Sequence, residues 1–276
     1  MNSTYILYTG LKQSSHAWNL NTGETLEKLG FVLGIADKCS YKQTDNKGTT
    51  YVLAYVDDFF VNQDRINNFI SQLNTRFQIT DLDEVNNYVG MNICRSQQGT
   101  IKTDKEHKID ELVKNFNLEQ AKSCSTPMAP GYINDNNEEN LLDSNTCFRR
   151  EIGGLLCIAK TCRPDIAAAV SILFRKIEKR TKKDFEAAKR IIKYLKTIKD
   201  LKLVIDNQRE SILQTIADSD WANDPFDRRS TMGMFKLGNN LLLWLCKRQN
   251  CVALSSAEAE YISAANATTE ITWFVK

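Results

Sequence analysis

The sequence predicts an α/β (α+β) fold, and three stretches carry that reading. Residues 49–61 read as strand, tight turn and strand; residues 148–197 carry successive helical stripes; after residue 205 short strands lead into a final helix. At 276 residues the chain is long enough for two domains, or for one with an appendage. Its hydrophobic content of 42% and charged content of 25% are those of a soluble globular protein.

The strand reading begins at "TTYVLAYV" (49–56), which is β-rich and alternates loosely, and resumes at Phe59, Phe60 and Val61. The turn between them lacks the Asn-Gly or Asp-Gly pair that most strongly marks a hairpin, but aspartate tolerates turn conformations. Ile66, Phe69, Ile70, Leu73 and Phe77 then fall on one helical face, and "NNYVGMNICRS" reads as a further strand. Thr103 and Glu106 have the spacing of a capping box ahead of Ile109, Leu112, Val113 and Phe116.

The segment "KSCSTPMAPGYINDNNEENLLDSN" is rich in proline, glycine and asparagine and reads as a linker. Beyond it Phe148, Ile152, Leu155 and Leu156 share a stripe. Pro164 stands where a helix start does not need its missing N–H, and Ile166, Ala169, Val170, Leu173 and Ile177 continue the apolar face. A third helix opens at Thr181 with Asp184 in its first turn; it turns Phe185, Ala188, Ile192 and Leu195 inward and its lysines outward. "SILQTIAD", "TMGMFKL" and "LLLWLC" are short strands, and a helix runs from about Ser256 to Phe274. Three expected domains follow: 1–122, 123–205 and 206–276.

Composition excludes several function classes. No apolar run approaches a membrane span, and the first residues lack the basic start and apolar core of a signal peptide, so an intracellular protein of cytoplasm or nucleus is expected. The eight cysteines form no Cys-x-x-Cys pair and the chain has two histidines, which argues against a structural zinc site; without a secretory signal, a disulfide framework is not expected either. Net charge is +2, but unevenly spread: residues 175–202 carry +8 and the remainder −6. Such a block is either a solvated helix face or a surface for a phosphate backbone. Trp18, Trp221 and Trp244 sit among apolar residues and read as core rather than as base-stacking platforms.

Asp57 and Asp58 interrupt the hairpin with two adjacent like charges, which repel and resist desolvation. A divalent cation would neutralise them, since magnesium takes hard oxygen ligands and completes its shell with water and substrate phosphates. An Asp-Asp pair alone is also compatible with an exposed acidic turn. Its setting decides. Tyr-Val-Asp-Asp in a hairpin resembles the palm motif of reverse transcriptases, and "GLKQSSHAW" (10–18), "YVDDFFV" (55–61) and "YVGMNICRS" (88–96) resemble successive landmarks of copia-type LTR-retrotransposon polymerases. "STPM" (125–128), "FRREIGGLLCIAKTCRPDIAAAV" (148–170) and "AAKRIIKYLK" (187–196) are similar to that family's connection segment. Residues 217–261 are similar to the opening of its ribonuclease H domain.

The resemblance implies a partial palm, a helical connection segment and an incomplete ribonuclease H-like domain. It implies that Asp57 and Asp58 bind catalytic Mg2+, that Lys12 and Gln13 lie near the incoming nucleotide and template, and that Asp218 and Glu258 are metal-binding carboxylates of the ribonuclease H site. Asp220 shares Asp218's strand face. Glu258 and Glu260 are two apart on a helix and cannot point the same way; the motif alignment favours Glu258, which could otherwise cap the helix with Ser255. The implied partner is an RNA or DNA template–primer, with an intact polymerase subunit as a further one. The family's full carboxylate sets are not matched within these 276 residues, so the chain is expected to be a catalytically inactive fragment, with a non-catalytic nucleic-acid-binding module as the alternative.

Overall fold

The computed structural model describes residues 14–35, 37–56, 58–132, 146–206, 214–224, 227–237 and 240–275. These divide into two units: one runs to Asp83 and also takes in the chain from Thr272 onward, and the other is Glu84–Ile271. Helices and antiparallel sheets are mixed in both, the α+β class expected from sequence. No described helix is long and apolar enough to cross a membrane.

In the first unit α1 (Ser14–Lys28) precedes a sheet of β1 (Val32–Leu33), β2 (Ser40–Asp45), β3 (Gly48–Tyr55) and β4 (Asp58–Val61), and α2 (Ile66–Leu73) follows. The strands lie in chain order and all pairs are antiparallel. Thr50 and Val52 point inward from β3 while Tyr51 faces solvent, the period-2 alternation of a half-buried strand. The inner face packs on Leu26 of α1 and on Phe69 and Leu73 of α2, the stripe legible in the sequence. Phe69 meets Phe31 and Phe59 edge-on at 5.8 Å. Burying each of these side chains contributes about 1.5–3 kcal/mol.

The second unit opens with β5 (Asn87–Tyr88), β6 (Met91–Arg95) and β7 (Ile101–Asp104), then α3 (Glu106–Asn115). Next come α4 (Thr146–Thr161), a 3-10 turn started by Pro164, α5 (Ala167–Arg175) and α6 (Lys182–Thr197). The chain then returns as β8 (Leu203–Ile205) to pair with β7, completing the sheet β5-β6-β7-β8. That pairing draws the strands around residue 102 and the helical block into one unit, so the expected boundaries after 122 and 205 both fall inside it. Its core is a helix-against-helix cluster that includes Leu112, Phe148, Ile152, Leu155, Leu173 and Ile192. A second sheet, β9 (Gln214–Asp220), β10 (Thr231–Leu237) and β11 (Leu241–Arg248), runs in the order β11-β10-β9, and α7 (Ser256–Val275) follows.

The capping signals divide. At α6 the Thr181 hydroxyl accepts from the Asp184 amide and the Asp184 carboxylate accepts from the Thr181 amide, a complete box. At α3 the expected Thr103–Glu106 box does not form. Thr103 is still in β7, its hydroxyl finds no partner among the described residues, and the Glu106 amide donates to Asp104 instead. The strand runs two residues further than the capping pattern assumed. Trp221 also departs from expectation: 52% of it is exposed, and its indole donates to the Ala253 carbonyl.

Candidate functional site

The β3–β4 hairpin is built from its register. Tyr55 pairs with Asp58, Ala54 with Phe59 and Val52 with Val61, so the pairing leaves a two-residue loop that opens at Val56. Two-residue hairpin loops favour left-handed backbone, and Val56 takes it at φ +56°. A β-branched residue there is strained, because its Cβ substituents crowd the backbone. The strain is held by a contact from outside the hairpin: Trp18 of α1 donates its indole N–H to the Val56 carbonyl at 2.5 Å and packs edge-on against Phe77. Asp58 shares the outer face with Tyr55 and is exposed. Asp57, Lys12 and Gln13 lie outside the described residues.

In the second unit, Asp218 and Asp220 lie on one face of β9, opposite Gly233 and Thr231 of β10. A side chain at position 233 would meet nothing within 4 Å, so the glycine leaves open space across from the Asp218 carboxylate. Asp220 is committed elsewhere, accepting from the Thr231 amide at 2.5 Å and from the Asn223 side chain at 2.8 Å.

Helix α7 is fastened to β9 by Ser263, which donates to the Asp218 carbonyl, and by Gln249, which donates to the Ala259 carbonyl and to the Ser219 hydroxyl. Ala259, Ser263 and Ala267 form its buried stripe. This docking selects between the two glutamates. The Glu258 amide donates to Ser255, and its carboxylate accepts from the Leu254 amide at 2.6 Å, closing the turn before the helix. The Glu260 carboxylate reaches the Ser219 amide at 3.3 Å, and that same amide donates to Asp218 at 2.9 Å. Glu260, not Glu258, therefore stands beside Asp218. The sequence holds part of the signal, since Glu258 follows Ser255 at capping distance; the rest comes with the docking of α7, which buries Ala259 next to Glu260.

Two carboxylates on one amide fit a magnesium ion, which is commonly bound through one or two carboxylates with water and phosphate completing the shell. No three His, Cys, Asp or Glu side chains gather into a metal-holding cluster among the described residues.

The basic block turns its lysines outward only in part: Lys182 is exposed, while several others are engaged. Lys196 caps carbonyls of Leu118, Glu119 and Ala121, Arg190 binds the Thr126 carbonyl and hydroxyl, and Lys183 donates to the Tyr132 carbonyl. Lys199 pairs with Asp110 and Lys202 with Asp104. Much of the +8 holds the connecting segment onto α6 and the β7–α3 corner.

The profile of the reverse transcriptase (RNA-dependent DNA polymerase) family matches residues 4–130, a span that includes the hairpin. The chain is 32% identical over 268 residues to the retrovirus-related Pol polyprotein from transposon RE1 of Arabidopsis thaliana, and 30% identical over 277 residues to that from transposon TNT 1-94 of Nicotiana tabacum. It belongs to the copia-type retrovirus-related Pol family. Each of those alignments covers 96% of this Pol chain but only 18% and 21% of the respective relative, so it spans about a fifth of their length. An uncharacterized mitochondrial protein of Arabidopsis thaliana is nearer in size: 32% identity covers 81% of this chain and 93% of that protein. No solved structure is a significant match.

Proposed function

We propose that this Pol chain serves a retrotransposon reverse transcriptase by contacting the template–primer and presenting carboxylates to divalent cations, and that the 276 residues taken alone are neither a competent polymerase nor a competent nuclease. The observation that carries the reading is the strained hairpin loop: Val56 is held in a left-handed conformation by Trp18, directly before Asp57 and Asp58. Strain of this kind persists where the surrounding structure fixes it for a purpose. Here it sits two residues before Asp58, whose carboxylate is exposed.

Asp57 and Asp58 would hold an ion at the hairpin; Asp218 and Glu260 would hold one at the ribonuclease H-like sheet. A bound divalent cation neutralises charge on the transferring phosphate. The side chains of this chain fix where it sits: Ser219 orients the Asp218 and Glu260 carboxylates through its amide, and Ser263 anchors β9 to α7. Phosphoryl transfer depends on positioning and electrostatics, so a pair of carboxylates without further ligands binds an ion without assembling a full reaction site.

Primer extension and cleavage of an RNA–DNA hybrid in magnesium, together with template–primer binding across a salt series, test both halves. The expected result is no extension, no cleavage, and affinity that falls steeply with salt through counterion release. Extension or cleavage by the purified chain overturns the first half; absent binding at low salt overturns the second.

A further inference from the structure

A cavity of about 490 Å³ opens within the second unit where α4 and α5 face β11. That is within the range of small-ligand sites. Its walls are of two kinds. Leu156, Ala159, Phe174 and Trp244 are apolar, while Lys160, Arg175, Arg229, Lys247 and Arg248 are cationic, and no carboxylate lines it among the described residues.

Asp224 and Asp227, outside the lining, pair with its cations, and Asp220 also acts on Arg175. Arg248 pairs with Asp224 and Asp227, at 3.4 and 2.7 Å, Arg175 lies 3.8 Å from Asp224, and Arg229 lies 3.6 Å from Asp227. Three guanidinium groups thus share two carboxylates, and no ion pair holds Lys160 or Lys247 among the described residues. With Asp220 counted as well, the site keeps an excess of about two positive charges. The Arg229 Nε reaches Asp227 at 3.6 Å, beyond hydrogen-bond distance, and burial pushes the Arg175 guanidinium below its ordinary value. Phe174 is half exposed at the mouth, and Trp244 is fixed by donating its indole N–H to the Ala159 carbonyl at 2.6 Å. A rim in which cations outnumber carboxylates, beside a fixed aromatic wall, suits a ligand with a phosphate at one end and a flat ring at the other.

We propose that this cavity binds a nucleotide, its phosphate against Lys160, Arg175 and Arg248 and its base against Phe174 and Trp244. The ligand is either a free nucleotide or the phosphorylated end of a strand, which share this chemistry. The site is distinct from the two carboxylate positions and stands independently of the template–primer reading.

The test measures binding of dAMP, 5′-phosphorylated dT8, unphosphorylated dT8 and inorganic phosphate to the full chain by calorimetry at low salt. It compares the wild type with the double variant Lys160→Glu, Phe174→Ala. Both side chains are exposed enough for the variant to fold, and its melting curve checks this. A phosphorylated ligand is expected to bind at least about tenfold more weakly to the variant, the loss of one charge-assisted bond and one stacking contact. Binding of dAMP identifies the free nucleotide, and binding of phosphorylated dT8 alone identifies a strand end. Equal affinity for inorganic phosphate, indifference to the 5′ phosphate, unchanged binding by the folded variant, or no binding at all overturns the proposal. Template–primer affinity in the same variant is a separate readout, so failure here leaves that reading to its own test.

Discussion

Trp18 and Val56, 38 residues apart, are joined by a hydrogen bond from the indole N–H to the carbonyl oxygen at a position where the hairpin backbone turns left-handed. A helix that precedes the sheet thus fixes the geometry of a turn at its far end. The two ends of this contact make opposite predictions. Trp18→Phe keeps the ring and removes the donor, so the β3–β4 amides should exchange faster, by about 1 kcal/mol of local stability. Val56→Asn places a residue that tolerates the left-handed region in an exposed turn and should slow the same exchange by about 1 kcal/mol. Native-state hydrogen exchange reads both.

The capping box at α6 should be worth less than the network behind it. Thr181→Ala removes one cap and should cost about 1 kcal/mol in urea unfolding. Asp184 is buried and accepts from Thr181 and from the Tyr132 hydroxyl, with Lys176 at 3.4 Å. Asp184→Ala strands those donors and should cost about 3 kcal/mol or more.

Acid should weaken the second unit through Asp104. Burial acts to raise the pKa of this carboxyl, but the Lys202 ammonium at 2.8 Å, the Asn92 amide at 2.7 Å and the Glu106 backbone amide outweigh it and hold the pKa below its ordinary value. An unfolded aspartate titrates near ~3.9. A carboxyl depressed in the folded state contributes its full stability above that pH, and loses it as pH falls through the folded value. Asp104→Asn should therefore lower stability by about 2 kcal/mol at pH 7 and by much less at pH 2. Urea midpoints at the two pH values check the sign.

Local signals explain which parts were legible. The Phe69–Leu73 stripe, the Thr181–Asp184 box, the Pro164 start and the strands around Met232 and Trp244 are each set within a few residues, and the structure has them where the pattern puts them. Helix α1 was hidden, because its inward positions are Thr22, Thr25 and Leu26 and it carries Gly23 mid-helix. That glycine is there for packing: a Cβ would lie 3.2 Å from the Tyr41 hydroxyl. The β7–β8 pairing joins residues about a hundred apart, which no local pattern encodes. At the site the motif supplied Asp218, but the choice between Glu258 and Glu260 needed the docking of α7, which turns one glutamate to cap Leu254 and the other toward Ser219.

That choice is open to direct measurement. In a background carrying Asp57→Asn and Asp58→Asn, electron paramagnetic resonance of Mn2+ counts ions bound at the second unit. Bound manganese should be lost in Asp218→Asn and in Glu260→Gln and kept in Glu258→Gln. Retention in Glu260→Gln, with loss in Glu258→Gln, would contradict the pairing of carboxylates on which the account rests.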